Sequence, residues 1–407
     1  MNIEKKLQEN RWYVLIGAIL VQLALGSIYS WGTLTTFVSP YLGEQPAVTV
    51  YVFGISLIAF AITMIQAGAI VKKIGPQKTV LLGMIVIAIG VFGSAFVTNL
   101  LGLILTYGLL FGLGIGIAYV VPIAVANAWF PDKKGLITGL AVAGFGAGSF
   151  IFNYLIRFFA TINIPIMFIL LGIFYVAFLL IGSLFMYKPP EGFKPEGWEP
   201  AMVESELVTD KEWKRGDMIK TPQFWFMWVA YFLSAMVGLM LIGTYGSFAE
   251  SDPVYVINNP DIFVLAGSIG ALFNGLGRIF WGRLADAINF RRSMIIMMIL
   301  QAISLFIYFT TSFSIALYFI FTWIIMFCFG GNLSLFPTAT SDMYGVKNVA
   351  DNYGILFTAY GVAGFIGAVA VNQIVLLLGG YLTLYIFLGI LSVVAAISAF
   401  LIRPPKK

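Results

Sequence analysis

Phe263-Val-Leu-Ala-Gly-Ser-Ile-Gly-Ala-Leu-Phe-Asn-Gly-Leu-Gly-Arg278-Ile-Phe-Trp-Gly282-Arg-Leu-Ala-Asp286-Ala-Ile-Asn-Phe-Arg-Arg292 is the stretch on which the fold turns. From Phe263 to Ala285 it is apolar for long enough to cross a bilayer, which takes about 20 residues per helix. A single charge well inside that run, Arg278, interrupts it, eight residues before Asp286. At ~1.5 Å per residue the arginine lies roughly 12 Å inside the span. An arginine at a helix centre costs ~2.5–3.5 kcal/mol on insertion scales, and such residues face a bundle interior or cavity and meet a partner or substrate there.

The polar end of the stretch occurs twice. Gly282-Arg-Leu-Ala-Asp-Ala-Ile-Asn-Phe-Arg-Arg292 has a counterpart in Gly68-Ala-Ile-Val-Lys-Lys-Ile-Gly-Pro-Gln-Lys78, 214 residues earlier. Pro122 with Asn127 and Pro337 with Asp342 repeat at an offset of 215. Twelve apolar runs can be drawn, at 12–37, 50–71, 79–98, 101–129, 135–158, 163–187, 222–249, 262–285, 292–312, 314–340, 352–378 and 381–402. The expected fold is therefore an all-α membrane protein of twelve transmembrane helices in two pseudo-symmetric six-helix halves, 1–187 and 221–407. The segment 188–220, with Pro189, Pro190, Pro195 and Pro200, reads as a linker carrying one short helix.

Composition agrees. Of 407 residues 60% are hydrophobic and 10% charged, against about 25% charged in soluble domains. With the N-terminus cytoplasmic, every Lys and Arg except Arg157 and Arg278 falls on the cytoplasmic side, as the positive-inside rule requires. The net charge of +5 is thereby explained by orientation and anionic lipid, with no nucleic-acid signal. All acidic residues fall in tails or loops, with Glu44, Glu250, Asp252 and Asp261 external, so no carboxylate is left at the depth of Arg278. There is no histidine, and the single cysteine, Cys328, excludes an internal disulfide and a multi-cysteine metal site. No cofactor is expected. The first apolar run follows Met1 to Arg11, is too long for a cleaved signal peptide and reads as a retained span.

Parallel six-span repeats are the architecture of major facilitator transporters, with the substrate site at the midplane between the halves, and the two loop copies resemble that superfamily's signature. Asp286, Arg291 and Gly282 make the better copy; in the Gly68 copy Lys72 stands where the aspartate would be. Four segments resemble the oxalate/formate antiporter family, itself related to the monocarboxylate transporters. They are Tyr29-Ser-Trp31, Asn127-Ala-Trp-Phe-Pro-Asp-Lys-Lys-Gly135, Phe273-Asn-Gly-Leu-Gly-Arg-Ile-Phe-Trp-Gly282, and Leu335-Phe-Pro337 with Asn352-Tyr-Gly354. The resemblance implies that Arg278 binds a substrate carboxylate. Oxalate exchange is associated in that family with a lysine in the eleventh span, and here that position is Tyr360. One cation neutralises one carboxylate, and a second buried charge would be costly, so monoanions such as lactate, pyruvate, acetate or formate are favoured.

Arginine suits the task because its planar fork donates two charge-assisted hydrogen bonds to a carboxylate. Asn274, one helical turn earlier, shares its face and could orient the guanidinium or bond the substrate itself. Tyr119 and Tyr360 could offer hydroxyls to the far end of the anion. Phe329 and Leu333 stand where the resemblance puts an aromatic pair, Asn332 lies between them, and Tyr29, Ile28 and Phe145 complete an apolar wall. The glycines Gly108, Gly112, Gly116, Gly144, Gly148, Gly361 and Gly364 allow close helix approach. Mammalian-type monocarboxylate transporters are associated with an aspartate where this chain has Asn274, so the proton of a symporter is left to ride on the substrate itself. The expectation is a monomeric, proton-coupled monocarboxylate carrier of the cytoplasmic membrane, with an oxalate/formate-type exchanger as the alternative. A channel would need a polar pore lining, and an enzyme a catalytic constellation that this sequence lacks.

Overall fold

In hydrocarbon every backbone N–H and C=O has to be satisfied within the chain, and for single segments only the helix does this. The computed structural model describes residues 10–190, 193, 195, 211–251, 262–308, 311, 314–345 and 348–403, which are helical with no strand among them. The long helices are α1 (Trp12–Leu42), α2 (Pro46–Ile74), α3 (Pro76–Ser94), α4 (Leu100–Trp129), α5 (Lys134–Ala160), α6 (Ile164–Ser183) and α7 (Pro222–Ser251). Then follow α8 (Ile262–Ile288), α9 (Phe290–Ile307), α10 (Ile315–Tyr344), α11 (Val349–Leu356 continued by Thr358–Leu378) and α12 (Tyr381–Leu401). Eleven of the described helices are long and apolar enough to cross a membrane. The remaining long one is α8, the helix that carries Arg278.

Local chemistry sets several of the boundaries. Pro46 and Pro76 open α2 and α3 in the first turn, where a proline's missing N–H costs nothing. Asn99 and Asn163 cap α4 and α6 through their side-chain oxygens, accepting from Gly102 N at 2.8 Å and Ile166 N at 2.7 Å. Two helices depart from α geometry. Ser27–Ser30 in α1 is a tighter 3₁₀ turn, and Ile104–Phe111 in α4 is a looser π stretch.

The loop copies turn at unexpected places. Gly68 and Gly282 lie inside α2 and α8, and Gly282 packs its bare Cα face toward Ser334 of α10. The turns are made instead by Gly75 (φ 82°, ψ 163°) and Asn289 (φ 76°, ψ 157°), 214 residues apart and alike in conformation. Asn289 is the one non-glycine residue with positive φ among the described residues, and its side chain accepts from Arg292 N at 3.0 Å, capping α9.

Helix α5 packs on α1 and α8, and α2 packs on α4 and α11. Small residues make these seams: Gly112 and Gly116 of α4 lie on the backbone of α2, Gly148 of α5 on that of α1, and Gly361 of α11 against Ala61 of α2. Large apolar side chains such as Ile89, Phe158, Ile173 and Ile397 are exposed on the outside, as for a bundle whose solvent is lipid. Both described chain ends lie at one end of the bundle. Arg11 grips Asp132 beside the α4–α5 turn (Nη2–Oδ2 2.9 Å), and Arg291 donates to the Ile402 carbonyl at 3.0 Å. The Arg11 hydrogen bond holds the Asp132 carboxyl below its usual range.

Within 188–220 the short helix is Arg215–Met218. Trp213 just before it donates its N–H to the Tyr344 carbonyl at 2.9 Å, while its own carbonyl accepts from the amides of Asn348 and Asn352 at 3.1 Å. The linker is thus bound to the α10–α11 turn. Pro200, Asp252, Asp261 and the basic residues at 5, 6, 194, 347, 406 and 407 lie outside the described residues.

Candidate substrate site

Arg278 is fully buried, with 0% of its surface exposed. Its Nε donates to Asn274 Oδ1 at 3.1 Å, one turn back on the same face of α8, and Nη1 donates to the Val142 carbonyl of α5 at 2.8 Å. Asn274 is itself fixed by donating Nδ2 to the Met326 carbonyl of α10 at 3.3 Å. Nη2 has no partner. The guanidinium carbon stands 5.2 Å from the centroid of Phe145, within reach of a cation–π attraction.

The aromatic residues expected around the arginine come together. Tyr29 meets Phe145 edge to face at 5.3 Å and Phe329 at 5.9 Å, and Tyr119 meets Phe145 at 5.0 Å. Phe329 stacks on Tyr360 at 6.2 Å. The hydroxyls of Tyr29 and Tyr360 are hydrogen-bonded to one another, joining α1 to α11. The Tyr360 hydroxyl is therefore engaged, whereas the Tyr119 hydroxyl is buried without a partner among the described residues.

A cavity of about 470 Å³ touches this cluster at Tyr119 alone and runs from there toward the end of the bundle that holds Asp286 and Asp342. Tyr119, Val142, Leu333 and Tyr353 line its deep end, and Asn127, Asp286, Pro337 and Asp342 its mouth. On the other side of Arg278 lies a cavity of about 20 Å³. Arg278, Ile28, Phe145, Phe329, Tyr360 and Asn332 are buried and line neither cavity, and both amide atoms of Asn332 lack a partner among the described residues. Arg291 is bonded to the Ile402 carbonyl at the end of α12 and does not line the cavity. Lys72, where the second loop copy has Asp286, pairs with Asp351 at the start of α11 at 3.2 Å.

Some participants were not legible in the sequence. A Cβ on Gly146 would stand 2.5 Å from Asn274 Oδ1 and 3.0 Å from Arg278 Nε, so this glycine is what admits the pair against α5. It sits between Gly144 and Gly148, which face α1. Two residues along a helix are ~200° around it, so alternating glycines present opposite faces, and that alternation was the available signal. The Val142 carbonyl has no sequence signature at all.

The family model described as Major Facilitator Superfamily matches residues 14–252 and 255–407. The chain belongs to the Major Facilitator Superfamily. It is an integral membrane transporter. Among its relatives is the "Oxalate:formate antiporter" of Oxalobacter formigenes, 30% identical over 98% of this chain and 94% of the relative. "Uncharacterized MFS-type transporter YhjX" of Escherichia coli (strain K12) is 27% identical over 87% of this chain and 86% of its own length. "Apicoplast pyruvate carrier 1" of Toxoplasma gondii is 23% identical over 97% and 89%. Shorter similarities include monocarboxylate transporter 14 of mouse and human, each over 36% of this chain.

Proposed function

We propose that this transporter carries a small monocarboxylate of the lactate or pyruvate type, with a proton, by alternating access around Arg278. The observation that carries the reading is a fully buried guanidinium whose Nη2 has no hydrogen-bond partner, carboxylate or other, among the described residues. A buried donor left unbonded costs about 1–3 kcal/mol, more when charged, and an entering carboxylate removes that cost. The names of the oxalate:formate and pyruvate relatives point to the same chemical class.

In the mechanism we favour, the anion enters through the cavity at the termini end and accepts a hydrogen bond from Nη2. Phe145, Tyr29 and Phe329 exclude water, which strengthens that bond in a low-dielectric site. The Tyr119 hydroxyl is free to meet the anion's far end. With one N–H of Nε and one of Nη1 given to Asn274 and Val142, three of the five N–H donors remain for the substrate; the single positive charge balances one carboxylate, and Tyr360 supplies no second charge for a dianion. The proton travels on the substrate carboxylate. Two halves, 1–187 and 221–407, rock about this site while 188–220 links them. We place both termini in the cytoplasm, the protein as a monomer in the cytoplasmic membrane, and no catalytic step in its cycle. The alternative is exchange of one anion for another, which the oxalate:formate relative keeps in view.

Purified protein in proteoliposomes decides between these. Uptake of labelled pyruvate or lactate should rise with an inward proton gradient, and Arg278→Lys should weaken half-saturation at least tenfold, since lysine lacks the planar fork. Uptake indifferent to the gradient and driven by internal anion would establish exchange. Unchanged affinity in the lysine variant would remove Arg278 from the site.

A further inference from the structure

The linker grips the start of α11, and that start faces the large cavity. Helix α11 is interrupted at Phe357, between Val349–Leu356 and Thr358–Leu378. Val349 and Tyr353 of the first segment line the cavity, Gly354 lies against the backbone of α2 at Met64, and Asp351 pairs with Lys72 of the same helix. Phe357, at the interruption, stacks on Tyr360 at 4.8 Å. Trp213 of the linker holds this segment. Its carbonyl accepts from the amides of Asn348 and Asn352, both at 3.1 Å, and its ring meets Tyr344 edge to face at 6.0 Å beneath the Lys211 ammonium. Two features mark the grip as more than a helix cap. Asn348 occupies the N-cap of the segment, where an asparagine usually accepts from the helix's own N–H groups, yet it makes no such bond and gives its amide to Trp213 instead. Asn352 is 0% exposed, and the Trp213 carbonyl is the one partner its side chain has among the described residues. A buried amide is costly unless bonded, so this one is tied to the position of the linker.

We infer that Trp213, Asn348 and Asn352 form a latch that holds α11 in the conformation open at the termini end and lets go when the opposite end opens. Asn348 and Asn352 are positioning residues for the transport cycle, acting on the path through Val349 and Tyr353. The latch is engaged here together with a cavity of about 470 Å³ at this end and one of about 20 Å³ at the other. Closing this end moves Val349–Leu356 with α2, to which Asp351 and Gly354 bind it. Trp213 stays with α10, because its N–H donates to the Tyr344 carbonyl at 2.9 Å. The two amide bonds lie where these motions part, and Phe357 is where the helix gives. The inference rests on the alternating-access part of the reading above and is independent of which anion is carried.

The test uses the full chain in membrane vesicles of both orientations, with a reporter cysteine for each end. Ala124→Cys reports the large cavity, into which Ala124 is exposed from α4. Ser149→Cys reports the small one, where Ser149 is 4% exposed. The native Cys328 is fully buried and serves as the blank. Asn348→Asp cannot donate to Trp213, yet aspartate caps a helix as well as asparagine does. In that variant an impermeant thiol reagent should label Ser149→Cys from the face opposite the termini about fivefold faster, the equilibrium factor of one neutral hydrogen bond, and label Ala124→Cys from the termini face more slowly. A residue that merely caps α11 would leave both rates unchanged while the melting temperature holds or rises. Rates that do not change, that move in the opposite sense, or that rise at both cysteines overturn the latch, as does a Ser149→Cys that labels in no chain. Asn352→Leu, close in volume and without a donor, should act in the same direction; should it fail to fold, the partly exposed Asn348→Asp decides alone. Pyruvate uptake by the wild type is measured in parallel. Its absence overturns the monocarboxylate reading and leaves the labelling to judge the latch.

Discussion

At the scale of the residue, the candidate site is an arginine with two of its nitrogens bonded and the third left unbonded among the described residues. The two bonds go to Asn274 and the Val142 carbonyl, and the room for both is made by Gly146. Gly146→Ala would place a methyl 2.9 Å from the backbone nitrogen of Gly275, a contact that no side-chain rotation relieves. The expected outcome is a loss of ~1–3 kcal/mol by overpacking and at least a tenfold fall in pyruvate uptake, read from thermal unfolding in detergent and proteoliposome transport. Wild-type uptake in that variant would show the close approach of α5 and α8 to be incidental. Arg278 and Asn274 could be found from sequence because charge and amide stand out in an apolar run. Gly146 and Val142 could not, since their part is played by a missing side chain and by a backbone oxygen.

At the scale of the element, turns and caps carry the risk. Asn289 holds a positive φ with extended ψ, a region costing about 1–3 kcal/mol outside glycine, and offsets it by capping α9. Asn289→Ala keeps the strain and loses the cap, so the melting temperature should fall by the equivalent of about 1–2 kcal/mol. Asn289→Gly relieves the strain while losing the cap and should lie close to wild type. If both variants melt together, backbone strain at this turn is negligible. The Arg11–Asp132 pair gives a pH dependence of definite sign. The carboxyl is held below its ordinary value of 3.8, so its contribution is present above about pH 4 and is lost as the pH falls through the lower folded value. Unfolding followed from pH 6 to pH 3 should show a steeper loss of stability for wild type than for Asp132→Asn. Parallel curves would mean that the pair contributes nothing.

At the scale of the whole molecule, the repeat is written most clearly where it is least similar in residue type. Gly75 and Asn289 share a conformation, yet one is glycine and the other asparagine, so a sequence comparison registers only their spacing. Span number and order were legible because hydropathy needs no tertiary information. The 3₁₀ turn in α1 and the π stretch in α4 were not, because each is a response to neighbouring helices and leaves the apolar pattern intact. The Lys72–Asp351 pair was also hidden, its partner lying 279 residues away. It joins α2 to α11 at the termini end, and its exposed lysine limits its worth to about 0–1 kcal/mol. Lys72→Asp should cut pyruvate uptake a few-fold by setting like charges together, and adding Asp351→Lys should recover most of it. A double variant no better than the single one would exclude coupling through this contact.

The tight turn Ser27–Ser30 has a mechanical consequence for α1. A 3₁₀ helix advances about 2.0 Å and 120° per residue, against about 1.5 Å and 100° in an α-helix. Relaxing four residues from one to the other would shorten α1 by about 2 Å and rotate everything beyond Trp31 by about 80°. Tyr29 lies within that thread. The phenol that joins the first helix to the eleventh thus sits on a screw, and a quarter-turn of it would carry Trp31 and Leu34 to new faces while the helix ends stay almost where they are.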